Sequence, residues 1–108
     1  CLAAHNVPTE QAVLRRAFPL HRFGPWVDTL TLARCAYPDL PSHRLEDLLE
    51  VLSLRQRVET ACPDRAPHDA LFDAVACGAL LEHLVRLPEW EGATLEDLVH
   101  AAPSRARR

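Results

Sequence analysis

The sequence predicts an α/β domain that is mostly helical and keeps only a remnant of a sheet. Three observations carry that expectation. Apolar residues recur at helical spacing through most of the chain, two short extended runs lie in its first third, and prolines divide the pattern into helix-sized pieces. Two short strands do not form an independent sheet, so further strands are expected from residues upstream of Cys1. The chain opens on Cys1-Leu2-Ala3-Ala4 rather than on Met, in keeping with that expectation.

Taken in order, Leu2 to Asn6 reads as the tail of a strand. Pro8 suits a first helical turn, and Ala12, Val13, Leu14 and Ala17 supply a short helix that stops before Pro19. A loop with Gly24 runs from Pro19 to Pro25. Trp26-Val27-Asp28-Thr29 is a brief run of aromatic and β-branched character leading into a helix over 30–37, which ends before Pro38. Ser42 reads as the N-cap of a helix carrying Leu45, Leu48, Leu49 and Leu52. Residues 55–67 are polar, hold two prolines and read as a surface loop. The longest helix is expected from His68 to Leu87. A last one begins at Thr94, with Asp97 as its capping-box partner and Leu95, Leu98 and Val99 buried. Residues 1–102 read as one part of a domain, and the Arg-rich 103–108 as a disordered tail.

Composition narrows the class. Of 108 residues 48% are hydrophobic and 25% charged, as in a soluble globular domain, which excludes disorder, collagen-like structure and a long coiled coil. There is no Lys, Ile or Met, and all twelve basic residues are Arg. A formal charge of −3 excludes a strongly basic nucleic-acid coat. It leaves room for an enzyme that meets nucleic acid through a local groove and metal ions. No stretch approaches the roughly 20 apolar residues of a membrane span, and no secretory signal is visible. The expectation is a cytoplasmic protein with no membrane partner. Cysteines at 1, 35, 62 and 77 form no C-x-x-C pair and match no zinc-finger spacing. They read as reduced thiols, with Cys35 and Cys77 packed in helical cores.

Three places bear chemistry. Between Ala70 and Leu81 every residue is apolar except Asp73 and Gly78. A carboxylate on such a helix is costly unless it is paired with an Arg or bound to a metal, and Asp69 one turn earlier adds a second negative charge. A metal-binding role for Asp73 is the functional reading. His68, just after Pro67, suits a general base beside an activated water because imidazole titrates near working pH. In His5-Asn6-Val7-Pro8-Thr9-Glu10, a strand ends in a polar pair and a carboxylate follows on the first helical turn. That places Glu10 at the carboxyl edge of a sheet, where α/β proteins bind ligands. The same residue also suits the helix dipole. Asn6 and Asp28 read as residues that hold the strand ends.

Together, His5-Asn6 with Glu10, then Val27-Asp28-Thr29-Leu30 leading into Leu32-Ala33-Arg34, then His68-x-Ala70-x-x-Asp73-Ala74 resemble the second half of a DEDDh-type (DnaQ-like) 3′→5′ exonuclease. The closing segment from Trp90 to Val99 is similar to the tail of exodeoxyribonuclease X-like members. The likeness spans about residues 3–100. It implies a ribonuclease H-like fold, here incomplete, and hydrolysis of DNA or RNA phosphodiesters from the 3′ end with release of nucleoside monophosphates. It implies two divalent cations, Mg²⁺ or Mn²⁺. By resemblance His68 is the general base, Asp73 a direct metal ligand, Glu10 the acid supporting the second metal, and His5 and Asn6 lie at the substrate. The expected partners are single-stranded 3′ ends and a larger parent chain or complex. The family's acid at position 10 is normally Asp, and its first motif, Asp-x-Glu, is absent from these residues and expected upstream. This piece alone is therefore not expected to cleave. The alternative is a catalytically degenerate member that binds nucleic acid or protein.

Overall fold

The computed structural model describes residues 2–64 and 69–102. Two three-residue strands, β1 (Leu2–Ala4) and β2 (Trp26–Asp28), pair in parallel with Leu2 opposite Trp26, Ala3 opposite Val27 and Ala4 opposite Asp28. The crossover between them is α1 (Val7–Ala17). Helix α2 (Thr29–Ala36) leaves β2 directly, followed by α3 (Leu45–Val51), α4 (Arg55–Ala61), α5 (Ala70–Val85), a 3₁₀ turn over Pro88–Trp90 and α6 (Leu95–Val99). The described part is mostly helical around a two-stranded parallel sheet, and none of its helices is long and apolar enough to cross a membrane.

Helix α5 is the centre of the packing. Its Phe72, Ala76, Leu80 and Leu84 are sealed from solvent, and it lies against α2, α3, α4 and β1. Leu32 of α2, Leu48 of α3, Val58 of α4 and Val27 of β2 complete the same core. Burying one such side chain contributes about 1.5–3 kcal/mol, so these contacts, not helix propensity, hold the short helices in place. Arg57 of α4 pairs with Glu82 of α5 at 2.6 Å, and Tyr37 after α2 bonds His83 of α5 at 2.8 Å.

One carboxylate organises the edge of the sheet. Asp28 Oδ1 accepts from the amides of Asn6 and Leu30, and Oδ2 from that of Val7, each at 3.0 Å. Asp28 thus caps α2 as its own N-cap residue and serves the first amides of α1 from the neighbouring strand. Asn6, at the N-cap position of α1, makes no side-chain cap and turns left-handed at φ 76°, a conformation Asn tolerates better than most residues. Asp28 holds the strand ends in this arrangement, whereas Asn6 takes part only through its backbone amide.

Several elements differ from the sequence reading. Residues 55–61 of the expected loop form α4, because Leu54, Val58 and Cys62 line one face at i, i+4, i+8 and are buried. The residue at the N-cap of α3 is Arg44. Ser42 lies two positions earlier, its hydroxyl accepting from the Arg44 amide and donating to Asp47. Cys35 is exposed, facing away from the core that takes Leu32 and Ala33, whereas Cys62 and Cys77 are buried. At α6 the Thr94–Asp97 capping box is formed, with Asp97 buried, but Leu95 on the outer face is 49% exposed. The expected tail at 103–108 and the start of the long helix at His68 lie outside the described residues.

The shared cap makes a measurable difference. Asp28→Ala removes a helix cap and two further charge-assisted bonds, and is expected to lower unfolding free energy by about 2–3 kcal/mol in a urea titration. Asp28→Asn, which keeps one acceptor oxygen, should lose less. A change within about 0.5 kcal/mol for Asp28→Ala would contradict the clamp.

Candidate functional site

The carboxyl ends of β1 and β2 point to the same side, as strand ends do at ligand sites of parallel sheets. Helix α1 leaves that end with Glu10 in its first turn. Helix α5 begins with Asp73 in its first turn. Both helices pack on β1. A cleft of about 680 Å³ lies between them, and Glu10, Asp73, His5 and Cys77 are among the residues that line it. Two carboxylates from opposite halves of the chain therefore share one cleft.

Asp73 is half-buried at the cleft wall rather than sealed in the core. Its neighbour Asp69 serves the helix instead, as the N-cap of α5, with Oδ1 accepting from the Leu71 amide at 2.9 Å. A carboxylate capping a helix N-terminus is favourably placed, so the two acids of this stretch do not compete for one site.

His5 stands at the floor of the cleft with both ring nitrogens occupied. Nε2 donates to the His43 carbonyl at 2.7 Å, which fixes the hydrogen there because a carbonyl only accepts. Nδ1 lies 2.8 Å from the Thr29 hydroxyl, which also donates to the Ala4 carbonyl at 3.3 Å. Burial pushes the His5 pKa below 6.5, outweighing the His43 carbonyl and the Asp28 charge, which favour the charged ring. Thr29, fully buried, also sits 3.6 Å from Cys77 Sγ. Burial raises the Cys77 thiol pKa, against the hydrogen bond to Thr29, which favours the thiolate.

The structure thus brings together Glu10, Asp73 and His5. Asn6 is exposed on the rim, at the mouth of an adjoining cleft. His68 lies outside the described residues. Cys77 lines this cleft and His43 the adjoining one, while Thr29 is fully buried and bonded to His5. The sequence reads Cys77 as a core residue and Thr29 as the end of the extended run, and it does not single out His43. Oxygen donors such as Glu10 and Asp73 suit hard divalent cations in kind. Among the described residues, however, no three His, Cys, Asp or Glu side chains form a group that holds a metal. The carboxylate pair is at most part of such a site.

Comparison with known proteins places the sequence near one enzyme. Over 95 residues it is 37% identical to the PolC-type DNA polymerase III of Oceanobacillus iheyensis, covering 83% of this chain and 6% of that protein. Over 89 residues it is 33% identical to the PolC-type DNA polymerase III of Halalkalibacterium halodurans, covering 79% of this chain and again 6% of the relative. The chain spans only about 6% of the length of these curated relatives, so it is similar to one short segment of a DNA polymerase. No family model matches the chain, and no solved structure matches it.

The buried His5 gives a pH signature. Its folded pKa is lowered, so the unfolded chain binds the proton first, and stability is fully present above about pH 6.5 and falls as pH drops through the folded midpoint. An NMR titration of the His5 ring is expected to give a midpoint below 6.5. Its replacement by Gln should flatten the loss of stability below about pH 6.5. A midpoint at or above 6.5 would contradict the buried, neutral ring.

Proposed function

We propose that this chain is the C-terminal part of a 3′→5′ exonuclease domain of the DEDDh (DnaQ-like) type, on a ribonuclease H-like fold whose remaining strands are supplied by other residues of the parent protein. The single observation that carries this reading is the cleft at the carboxyl ends of β1 and β2, which Glu10 of α1 and Asp73 of α5 both line. The similarity to a segment of PolC-type DNA polymerase III supports it, since a DNA polymerase works at the 3′ end that such an exonuclease trims.

In this reading the substrate is the 3′ end of single-stranded DNA or RNA, and the product a nucleoside monophosphate. Asp73 and Glu10 would hold part of the coordination of two divalent cations, Mg²⁺ or Mn²⁺, with the rest expected from carboxylates of an Asp-x-Glu motif elsewhere in the parent chain. When bound, such ions polarise the scissile phosphate and make water acidic enough to attack at neutral pH. His68 accepts the proton of the attacking water. His5, with its ring nitrogens held by Thr29 and His43, gives the cleft a neutral, fixed floor against which the terminal nucleotide lies. Asn6 meets the strand at the rim. Glu10 in place of Asp favours one second reading, a degenerate member that binds nucleic acid or protein without cleaving it, because an extra methylene displaces the carboxylate by about 1 Å or more.

The test is Mn²⁺-dependent shortening of a 5′-labelled single strand by the full-length protein that contains these residues. Stepwise loss from the 3′ end is expected, with His68→Ala and Asp73→Asn each lowering kcat by about 10²-fold or more. Full activity in both variants overturns the site. Strand binding without any shortening favours the degenerate reading.

A further inference from the structure

A second cleft, of about 360 Å³, adjoins the carboxylate cleft and shares His5 and Leu45 with it. Its character is opposite. Arg34, from the last turn of α2, and Arg44, from the residue before α3, line it together with Asn6 and His43. Both are exposed, and neither guanidinium has an ion-pair or side-chain hydrogen-bond partner among the described residues, as is also true of Arg15, Arg16 and Arg22, whereas Arg55, Arg57 and Arg86 are paired with glutamates. Asp28, at the end of β2, spends both its oxygens on the amides of Asn6, Val7 and Leu30. The wall between the clefts is His5, fixed at both nitrogens, and the apolar Leu45. Negative and positive sites are therefore set side by side across a narrow divide.

We infer that the Arg34–Arg44 cleft binds an internal phosphate of the same single strand whose 3′-terminal phosphodiester occupies the Glu10–Asp73 cleft. This rests on the exonuclease reading and adds to it the requirement for a phosphate upstream of the bond cleaved. Guanidinium groups stay charged at any working pH and match the oxygens of a phosphate bidentately, so two of them lining one cleft suit such a group. A polynucleotide presents one phosphate per nucleotide, so a strand seated at the carboxylates carries its next negative charges past His5. Binding energy taken from a phosphate remote from the reacting bond makes catalysis depend on strand length.

The experiment compares two substrates in the full-length protein: a single-stranded oligonucleotide and the 4-nitrophenyl ester of thymidine 5′-monophosphate, which has the scissile phosphodiester but no upstream phosphate. For Arg34→Gln combined with Arg44→Gln, the ratio of kcat/KM for the strand to that for the ester is expected to fall at least about tenfold. The salt slope of strand binding should become shallower by about 0.7 for each phosphate no longer neutralised. A neutral methylphosphonate at one internal linkage should mimic the double variant and show no further loss in it. An unchanged ratio, or a methylphosphonate scan in which no linkage mimics the variant, overturns the inference. A wild-type protein that cleaves neither substrate overturns instead the exonuclease reading on which it rests.

Discussion

The architecture of the candidate site depends on the carboxylate of Asp28. Three backbone amides, from the end of β1, the start of α1 and the start of α2, converge on its two oxygens. Each of those amides would otherwise be an orphan donor at a helix or strand terminus. Satisfying them from one side chain locks the exit directions of both helices relative to the strands. Glu10 in the first turn of α1 and Arg34 in the last turn of α2 take their places from this anchor. So does His5, whose ring reaches Thr29, the residue after Asp28.

Behind that anchor lies a graded environment. The core side of the cleft is shielded from solvent: Thr29 is sealed, and burial favours the thiol of Cys77 and the neutral ring of His5. The open side carries the charges, Glu10 and Asp73 on one flank and Arg34 and Arg44 on the other. A neutral floor matters for the function proposed, since a buried cation there would compete with divalent ions for the carboxylates. The hydrogen-bonded row from Cys77 through Thr29 to His5 and the His43 carbonyl holds that floor without placing a charge in it.

What was legible in the sequence was local or periodic. The Thr94–Asp97 capping box spans three residues, and both of its bonds are present. The i, i+3, i+4 pattern of Leu45, Leu48 and Leu49 marks α3, and the extended run before Asp28 marks β2. What escaped was decided by tertiary packing. Helix α4 carries a single apolar residue per turn and sits near two prolines, so only the buried positions of Leu54, Val58 and Cys62 reveal it. Cys35 and Cys77 lie in equally apolar windows, yet one faces solvent and the other the cleft. Asp69 and Asp73 look like a repulsive pair until Asp69 is seen to cap the helix. Glu10 and Asp73 were both candidate ligands from sequence. That both line one cleft follows from α1 and α5 packing on the same strand, which no local pattern encodes.

The central claim is that Glu10 and Asp73 act as one unit. A double-mutant cycle tests it directly, with kcat/KM for a single strand measured in the full-length protein for the wild type, Glu10→Gln, Asp73→Asn and the pair. Residues that serve one site are strongly non-additive. The double variant is expected to be little worse than the more damaged single one. Losses that multiply, or a Glu10→Gln variant with undiminished activity, would contradict it.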